Sequence, residues 1–356
     1  MRWIGLRVFT VLSTFVLVVP SLVAARLLGA DPGLMVLVVL AFWILWTLLH
    51  ELGHAGAAWL LGWDVHAITV CGVSFLPARG GFGNVPGQGR SRLGGYVIAS
   101  PRTAEAWSSR DYPLFAFGGP FANFVVAALA FLAVALSNPA GPVPPAVPVL
   151  IGAFGLSSLV FGIINLVPLR WESGRRSDGA RLIDYLRGRE RPLLAYARTR
   201  MSGLMIDRVP PRRWDPALPE RILRDDRDAN WLMVAALSFF SAGHLSRALE
   251  AMRAAQAARP GADIIEPSAM AYLLAMVEHD LPAARQWLAK CGSEDRYDFG
   301  CWRARMVILA LEGRRDDARA AAAQARLAAV NPEPDEDDEA LLAAIEHGRD
   351  PPLRTA

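Results

Sequence analysis

The feature that most constrains the fold of this 356-residue chain is an apolar stretch that ends in three ionisable residues. No charged side chain occurs in residues 34–49, and His50, Glu51 and His54 then follow within five positions. A stretch of this length and composition predicts a helix that spans a membrane. Ionisable groups at that depth are costly unless they are paired or bind something, so these three residues predict a functional site.

The spacing of the two histidines suits a metal ion. Residues four apart lie on the same face of a helix, so His50 and His54 can present both imidazoles to one Zn²⁺. Glu51 is then close enough to act as a general base on a water molecule. The alternative, a chance match in an ordinary helix, is disfavoured by the apolar setting.

Composition divides the chain into two unlike halves. Roughly the first 170 residues are membrane-like, and the rest are charged and rich in Ala and Arg. The net charge of +3 is too small to indicate nucleic acid, so no nucleic-acid partner is expected. The three cysteines are scattered, which predicts no disulfide framework and a reducing compartment for the second half. Lys290 is the only lysine, a bias typical of a GC-rich genome, and a bacterial source is expected.

Four apolar segments are long enough to span a bilayer: residues 8–25, 34–61, 113–137 and 147–169. The first is expected to be an uncleaved helix rather than a signal peptide. Arginines are concentrated in the loop after the second span and directly after the fourth, whereas residues 138–146 carry no charge. The positive-inside rule therefore predicts a multi-pass protein of the cell membrane, in contact with the lipid bilayer and with both termini in the cytoplasm.

Two β-strands are predicted between the second and third spans, at residues 67–76 and 94–98, with a Gly-rich stretch between them. Two interpretations are open. The strands form either an edge that binds an extended peptide by strand addition or a small structural hairpin at the membrane surface. His66 is a conceivable third metal ligand, but its position after Gly62 favours an interfacial histidine.

A catalytic zinc site needs a third protein ligand, and carboxylates follow the fourth span. Asp178, with Gly179 after it, can fold back from the helix end that Pro168 breaks. Glu172 and Asp184 are rival carboxylates by spacing alone, although Asp184 fits a solvated helix face.

In the third span, Gly118 and Gly119 predict close helix packing. Asn123 follows them, and two roles are open for its amide. It makes an interhelical hydrogen bond, or it donates to a scissile carbonyl.

These segments resemble the site-2 protease family of intramembrane zinc metalloproteases over about residues 1–185. The resemblance is carried, in order, by His50-Glu51-Leu52-Gly53-His54, by Gly119-Pro120-Phe121-Ala122-Asn123 and by Asn165…Pro168…Asp178-Gly179, with Gly94-Gly95-Tyr96 between the first two. Members of the family commonly have only a few residues between the proline and the Asp-Gly pair, whereas here there are nine.

The resemblance implies zinc as cofactor, a transmembrane protein as substrate and the following site residues. His50, His54 and Asp178 would be the metal ligands, Glu51 the general base, and Asn123 and Asn165 polar groups near the substrate carbonyl.

The second half of the chain contains internal repeats. Residues 242–248, 278–284 and 312–318 align, and their final alanines are 36 and 34 residues apart. The pattern resembles degenerate tetratricopeptide repeats, which stack helix pairs and commonly bind a protein partner on a concave surface. The alternative is a generic helical bundle without a groove.

The predicted fold is an all-α polytopic membrane domain at residues 1–186, with about four transmembrane helices and a small β-hairpin region. An Arg/Pro-rich linker at 187–227, an α-helical tetratricopeptide-like repeat domain at 228–348 and a tail at 349–356 follow. The predicted function is an intramembrane zinc endopeptidase whose repeats recruit a substrate or regulator. The alternative is a non-catalytic membrane scaffold, against which the intact Glu51 argues.

Overall fold

A computed structural model describes residues 31–85, 94–103, 111–137, 146–170, 176–188, 192–260, 264–291 and 299–328, with a few isolated positions besides. The chain forms two compact units, Met1–Arg208 and Val209–Ala356. The predicted first span at residues 8–25 lies almost entirely outside the described residues, and the tail at 349–356 lies fully outside them.

Three helices of the first unit are long and apolar enough to cross a membrane, which indicates membrane association. They are α1 (Pro32–Leu60), α2 (Asp111–Ala135) and α3 (Ala146–Leu166). These helices coincide with three of the four predicted spans to within a few residues. Asp31 caps α1 by accepting hydrogen bonds from the backbone N–H groups of Gly33 and Leu34. The helix ends before Gly62, whose φ of +73° a glycine adopts without strain.

The backbones of α1 and α2 touch at two glycines. A Cβ on Gly118 would lie 2.7 Å from the carbonyl oxygen of Gly53, and a Cβ on Gly53 would overlap the carbonyl of Gly118. Only glycine at both positions permits this approach, as is common between membrane helices. The predicted close packing through Gly118 is confirmed.

A four-stranded antiparallel sheet lies between α1 and α2 in the chain. Its strands are β1 (Asp64–Val70), β2 (Val73–Leu76), β3 (Gly81–Phe82) and β4 (Gly95–Ser100), in the order β3-β2-β1-β4. The prediction of one strand over residues 67–76 is wrong, because the chain reverses at Cys71 and Gly72 so that Val70 pairs with Val73. Both turn residues have positive φ, at +50° and +82°, as a tight two-residue hairpin requires.

Two further helices, α4 (Asp178–Leu186) and α5 (Pro192–Ile206), complete the first unit. The second of these lies against β1 and β4, and its Ile206 joins Ala67, Leu76 and Ile98 in a small apolar core. The segment predicted as a linker therefore contains an ordered helix, since this helix has a sheet to pack against.

His66 does not belong to the group of His50, His54 and Asp178 described below, and its interfacial position stays a prediction. Its ring is buried, with Nδ1 2.7 Å from Asp207 Oδ2 and Nε2 2.8 Å from Ser100 Oγ. These contacts join β1 and β4 to the end of α5.

The second unit consists of helices within its described part. They are α6 (Ala217–Asp225), α7 (Ala229–Ser241), α8 (Leu245–Ala258), α9 (Pro267–Leu273, continued by a π-turn at Leu274–Glu278), α10 (Leu281–Leu288), α11 (Phe299–Leu311) and α12 (Arg315–Ala328). Helices α7 and α8, α9 and α10, and α11 and α12 pack in pairs. The three turns within the pairs have Gly243, His279 and Gly313 at equivalent places, all with positive φ, at +81°, +54° and +76°.

Ion pairs recur between successive helix pairs. Arg253 of α8 binds Glu278 at the end of the next helix at 2.5 Å, and Arg285 of α10 binds Glu312 after α11 at 2.5 Å. The recurring turns and ion pairs agree with the sequence repeat. The identity of the repeats as tetratricopeptide-like stays a prediction.

Candidate metal centre

Three buried side chains from two helices converge on one point. His50 Nε2 and His54 Nε2 of α1 lie 3.2 Å apart, and Asp178 Oδ2 of α4 lies 3.0 Å from the first and 3.4 Å from the second. Together these residues could hold a metal ion. The prediction that these three residues meet is therefore matched by the structure.

The distances suit a tetrahedral ion. Bonds of about 2.0–2.1 Å in tetrahedral geometry separate ligand atoms by about 3.3 Å. The three observed separations of 3.0, 3.2 and 3.4 Å surround this value. Two imidazoles and one carboxylate are a donor set of catalytic zinc sites, which leave a fourth position for water or substrate.

The Nδ1 atom of each imidazole points away from the cluster and is hydrogen-bonded to an oxygen of α2. His50 Nδ1 lies 2.7 Å from Asn123 Oδ1, and His54 Nδ1 lies 2.8 Å from the carbonyl oxygen of Phe115. A carbonyl only accepts, so His54 Nδ1 carries the proton, and the Gly119 N–H at 3.3 Å from the same atom is only a long contact. Both rings are therefore oriented so that Nε2 faces the point where an ion could bind.

Asn123 is fully buried, and both ends of its amide are engaged. Its Oδ1 accepts from His50, and its Nδ2 donates to Ser158 Oγ of α3 at 3.1 Å. The predicted interhelical hydrogen bond is confirmed. The same contacts place the amide behind His50 and favour positioning of the ring over donation to a substrate carbonyl.

Asn165 is not part of the cluster. Its Nδ2 donates to the carbonyl of Phe161 at 3.0 Å within α3, and the side chain is half-buried. Its predicted place near a substrate carbonyl stays a prediction.

The nine residues between Pro168 and Asp178 do not displace the carboxylate, because the chain closes on itself. Ser177 N donates to the carbonyl of Leu169 at 3.0 Å, and Leu169 N donates to Ser177 Oγ at 2.9 Å. Ser177 Oγ also donates to the carbonyl of Val167 at 2.6 Å and caps α4. Leu169 and Ser177 are therefore neighbours in space, although seven residues separate them in the sequence.

Gly179 is required for this approach. A Cβ there would lie 2.8 Å from Leu166 Cα and would overlap the carbonyl of Leu166. The glycine thus lets the first turn of α4 lie directly against the end of α3, where Asp178 reaches the histidines.

The electrostatics of the cluster keep Asp178 ionised. Burial by itself raises the pKa of this carboxyl, but attraction and hydrogen bonds from His54 and His50 outweigh burial and hold the pKa well below its usual range. A carboxylate must be ionised to bind a metal, so Asp178 is ready to act as a ligand.

Glu51 is buried beside the cluster and interacts electrostatically with His50 and Asp178. The first residue of β4 lies against it, since a Cβ on Gly95 would lie 2.5 Å from Glu51 Cγ. The sheet is thereby brought to the carboxylate that the sequence predicts to be the general base.

The rival ligands are placed elsewhere. Glu172 lies outside the described residues. Asp184 is almost fully buried, and its carboxylate accepts hydrogen bonds from Arg170 and, at 2.9 Å, from Arg176. The prediction of a solvated face at Asp184 is wrong, because Arg170 and Arg176 pair with this buried carboxylate.

Three contributors to the site were missed at the level of sequence. The Phe115 carbonyl carries no signal, since any residue supplies one. Ser158 is one small residue in an apolar helix. The Gly94-Gly95-Tyr96 segment suggests a role for Gly95, but it does not predict the contact of Gly95 with Glu51.

Comparisons with protein-family models, curated proteins and solved structures found no match to this chain.

Proposed function

We propose that this chain is an intramembrane zinc endopeptidase that hydrolyses peptide bonds within or near transmembrane segments of membrane-protein substrates. The observation that supports this most directly is the buried group of His50, His54 and Asp178 with Glu51 beside it, on helices apolar enough to cross a membrane. A purely structural metal site has no use for that additional carboxylate.

The donor set favours zinc as the ion. When bound, zinc supplies a Lewis acid that polarises a carbonyl and makes water more acidic. His50, His54 and Asp178 would hold it, while Asn123 and the Phe115 carbonyl keep the two imidazoles in the binding orientation.

Glu51 is the proton carrier of the reaction. One of its carboxylate oxygens takes a proton from the attacking water as the new C–O bond forms at the substrate carbonyl. The carboxyl then passes this proton to the amide nitrogen, so the C–N bond breaks and an amine leaves. Burial of the carboxylate limits access of bulk water to this exchange.

The substrate must be unwound at the scissile bond, because carbonyls inside a helix are already hydrogen-bonded and shielded. The edge strand β4 begins beside Glu51 and offers main-chain groups that can pair with such an extended segment. The resemblance of the site residues to site-2 proteases supports the same activity. In this proposal the protein is multi-pass with both termini in the cytoplasm, and the second unit recruits the substrate or a regulator.

The first experiment is to measure zinc per protein in full-length chain purified in detergent. The wild type is expected to hold about one zinc, and His54→Ala and Asp178→Asn are expected to lose it. Asp316→Asn, a change at a side chain that is 97% exposed, is the control for the second variant and should keep its zinc. Freshly prepared wild type without zinc would contradict the proposal.

The second experiment separates catalysis from metal binding. Glu51→Gln should keep zinc and lose cleavage of casein and of a tagged single-span membrane protein in the same detergent, because the amide cannot accept the proton. Glu250→Gln, at an exposed position, is the control. Unchanged cleavage by Glu51→Gln would contradict the mechanism. Zinc without any cleavage, in the wild type as well, would favour the non-catalytic scaffold.

A further inference from the structure

Asp184 is a buried negative charge outside the metal cluster. Its side chain is only 2% exposed, whereas those of its partners Arg170 and Arg176 are 53% and 33% exposed. Burial of a carboxylate is costly unless opposite charges compensate it. Here one carboxylate binds two guanidinium groups, one on each oxygen.

The two arginines flank residues 171–175 in the sequence, which lie outside the described residues. Arg170 and Arg176 also pair as an isolated antiparallel bridge, so their backbones lie side by side. Two like charges held this close repel each other, and Asp184 is the described carboxylate that pairs with both. The ion pairs therefore hold Arg170 and Arg176 next to each other.

The same contacts fix α4, the helix that begins with Asp178. Ser177 connects the start of α4 to Val167 and Leu169 by hydrogen bonds. Asp184, six residues after Asp178, connects the same helix to the two arginines by ion pairs. Two separate contacts fix the orientation of a helix, because each one prevents rotation about the other. The direction of the Asp178 carboxylate toward the histidines depends on this orientation, since the carboxylate and the histidines belong to different helices.

We propose that Asp184 is the positioning residue for the metal ligand Asp178, acting through its ion pairs with Arg170 and Arg176, which it holds next to each other before the ligand. The proposal rests on the metal-binding function proposed above. It explains how a long connection can end in a carboxylate placed within 3.4 Å of both imidazoles. Without the negative charge, the two arginines repel, the bridge between them opens, and α4 loses its second attachment.

The test is metal binding by full-length Asp184→Asn in detergent, measured with Zn²⁺ by chelator competition. We expect affinity to fall by about 10–100-fold, the range found for groups that orient metal ligands. The matched control is Asp317→Asn, which also removes an arginine partner but lies in the second unit, and it should bind as the wild type does.

Cobalt substitution gives a readout that a general loss of stability would not move. The visible spectrum of bound Co²⁺ reports its ligands, so Asp184→Asn at saturating Co²⁺ should give a spectrum that differs from that of the wild type, as expected for a displaced carboxylate ligand. Neutralising both arginines in the same chain, as Arg170→Gln, Arg176→Gln and Asp184→Asn together, should restore part of the affinity, because the repulsion is then gone.

Equal zinc affinity and an unchanged cobalt spectrum in Asp184→Asn would overturn the proposal while leaving the metal site intact. If Asp184→Asn does not fold, the double variant Arg170→Gln and Arg176→Gln replaces it, since it removes both described partners of the buried carboxylate and should weaken binding several-fold. Wild-type affinity in this double variant would then overturn the proposal. A wild type that binds neither metal overturns the proposed function and this inference together.

Discussion

Gly119 offers the sharpest test of the metal centre, because its missing side chain makes room for the ligand atoms. A Cβ on Gly119 would lie 2.7 Å from His50 Nε2 and closer still to His54 Nε2. Ordinary contacts of this kind need about 3.5 Å, so the Gly119→Ala methyl group is about 0.8 Å too close to His50 alone. Something must move by nearly an ångström.

Neither available movement preserves the site. If the imidazoles turn away, their Nε2 atoms leave the point where an ion could bind. If α2 moves away instead, it takes with it Asn123 and the Phe115 carbonyl, the acceptors that hold both rings. Loss of such supporting contacts typically weakens metal binding by 10–100-fold, and Gly119→Ala combines it with a direct clash. We therefore expect at least about 100-fold weaker zinc binding.

The assay compares Gly119→Ala with Gly56→Ala by zinc content and chelator competition on detergent-purified protein. Gly56 lies on α1 near the histidines, and a Cβ there would meet no atom within 4 Å. Both changes improve intrinsic helix propensity by about 1 kcal/mol, so propensity cannot separate them. If Gly119→Ala held zinc as tightly as Gly56→Ala, the inferred packing of α2 on the imidazoles would be wrong.

Three further predictions concern single contacts. Gly179→Ala should lose zinc and lower the unfolding temperature, because its methyl group overlaps the Leu166 carbonyl; full metal content would refute this. Asn123→Ala should weaken zinc binding by about 10–100-fold in chelator competition, because His50 loses the acceptor that fixes its tautomer, whereas Asn165→Ala should bind as the wild type does. His279→Gly should stabilise the protein by about 1 kcal/mol, because His279 has a φ of +54°; thermal unfolding measures this, and a lower transition temperature would contradict it.

The parts of the molecule that follow from local sequence were predictable. Hydropathy located α1, α2 and α3, and the helical period placed His50 and His54 on one face. The hairpin turn at Cys71 and Gly72 was missed, because it interrupts a continuous apolar stretch with only one glycine as a signal. The β-branched and apolar residues before and after this turn predict a strand whether or not the chain reverses between them.

Interactions between distant residues could not be predicted in the same way. The pairing of Asp184 with Arg170 and Arg176 depends on the path of a loop, and an isolated Asp in a short helix is more often solvated. Asp178 was predicted from the Asp-Gly pair after Pro168. Its position close to the end of α3, with nine residues between it and that proline, depends on the hydrogen bonds between Leu169 and Ser177. Such bonds leave no periodic signal.

The backbone contact between α1 and α2 at Gly53 and Gly118 also bears on how the protein responds to its lipid environment. Membrane helices adjust to a thinner or thicker bilayer chiefly by tilting. Two helices in backbone contact tilt together, since no flexible side chain lies between them to absorb a difference. The distances from both imidazoles to their acceptors on α2 are then conserved during the tilt. The histidine half of the centre is therefore expected to keep its geometry in bilayers of different acyl-chain length.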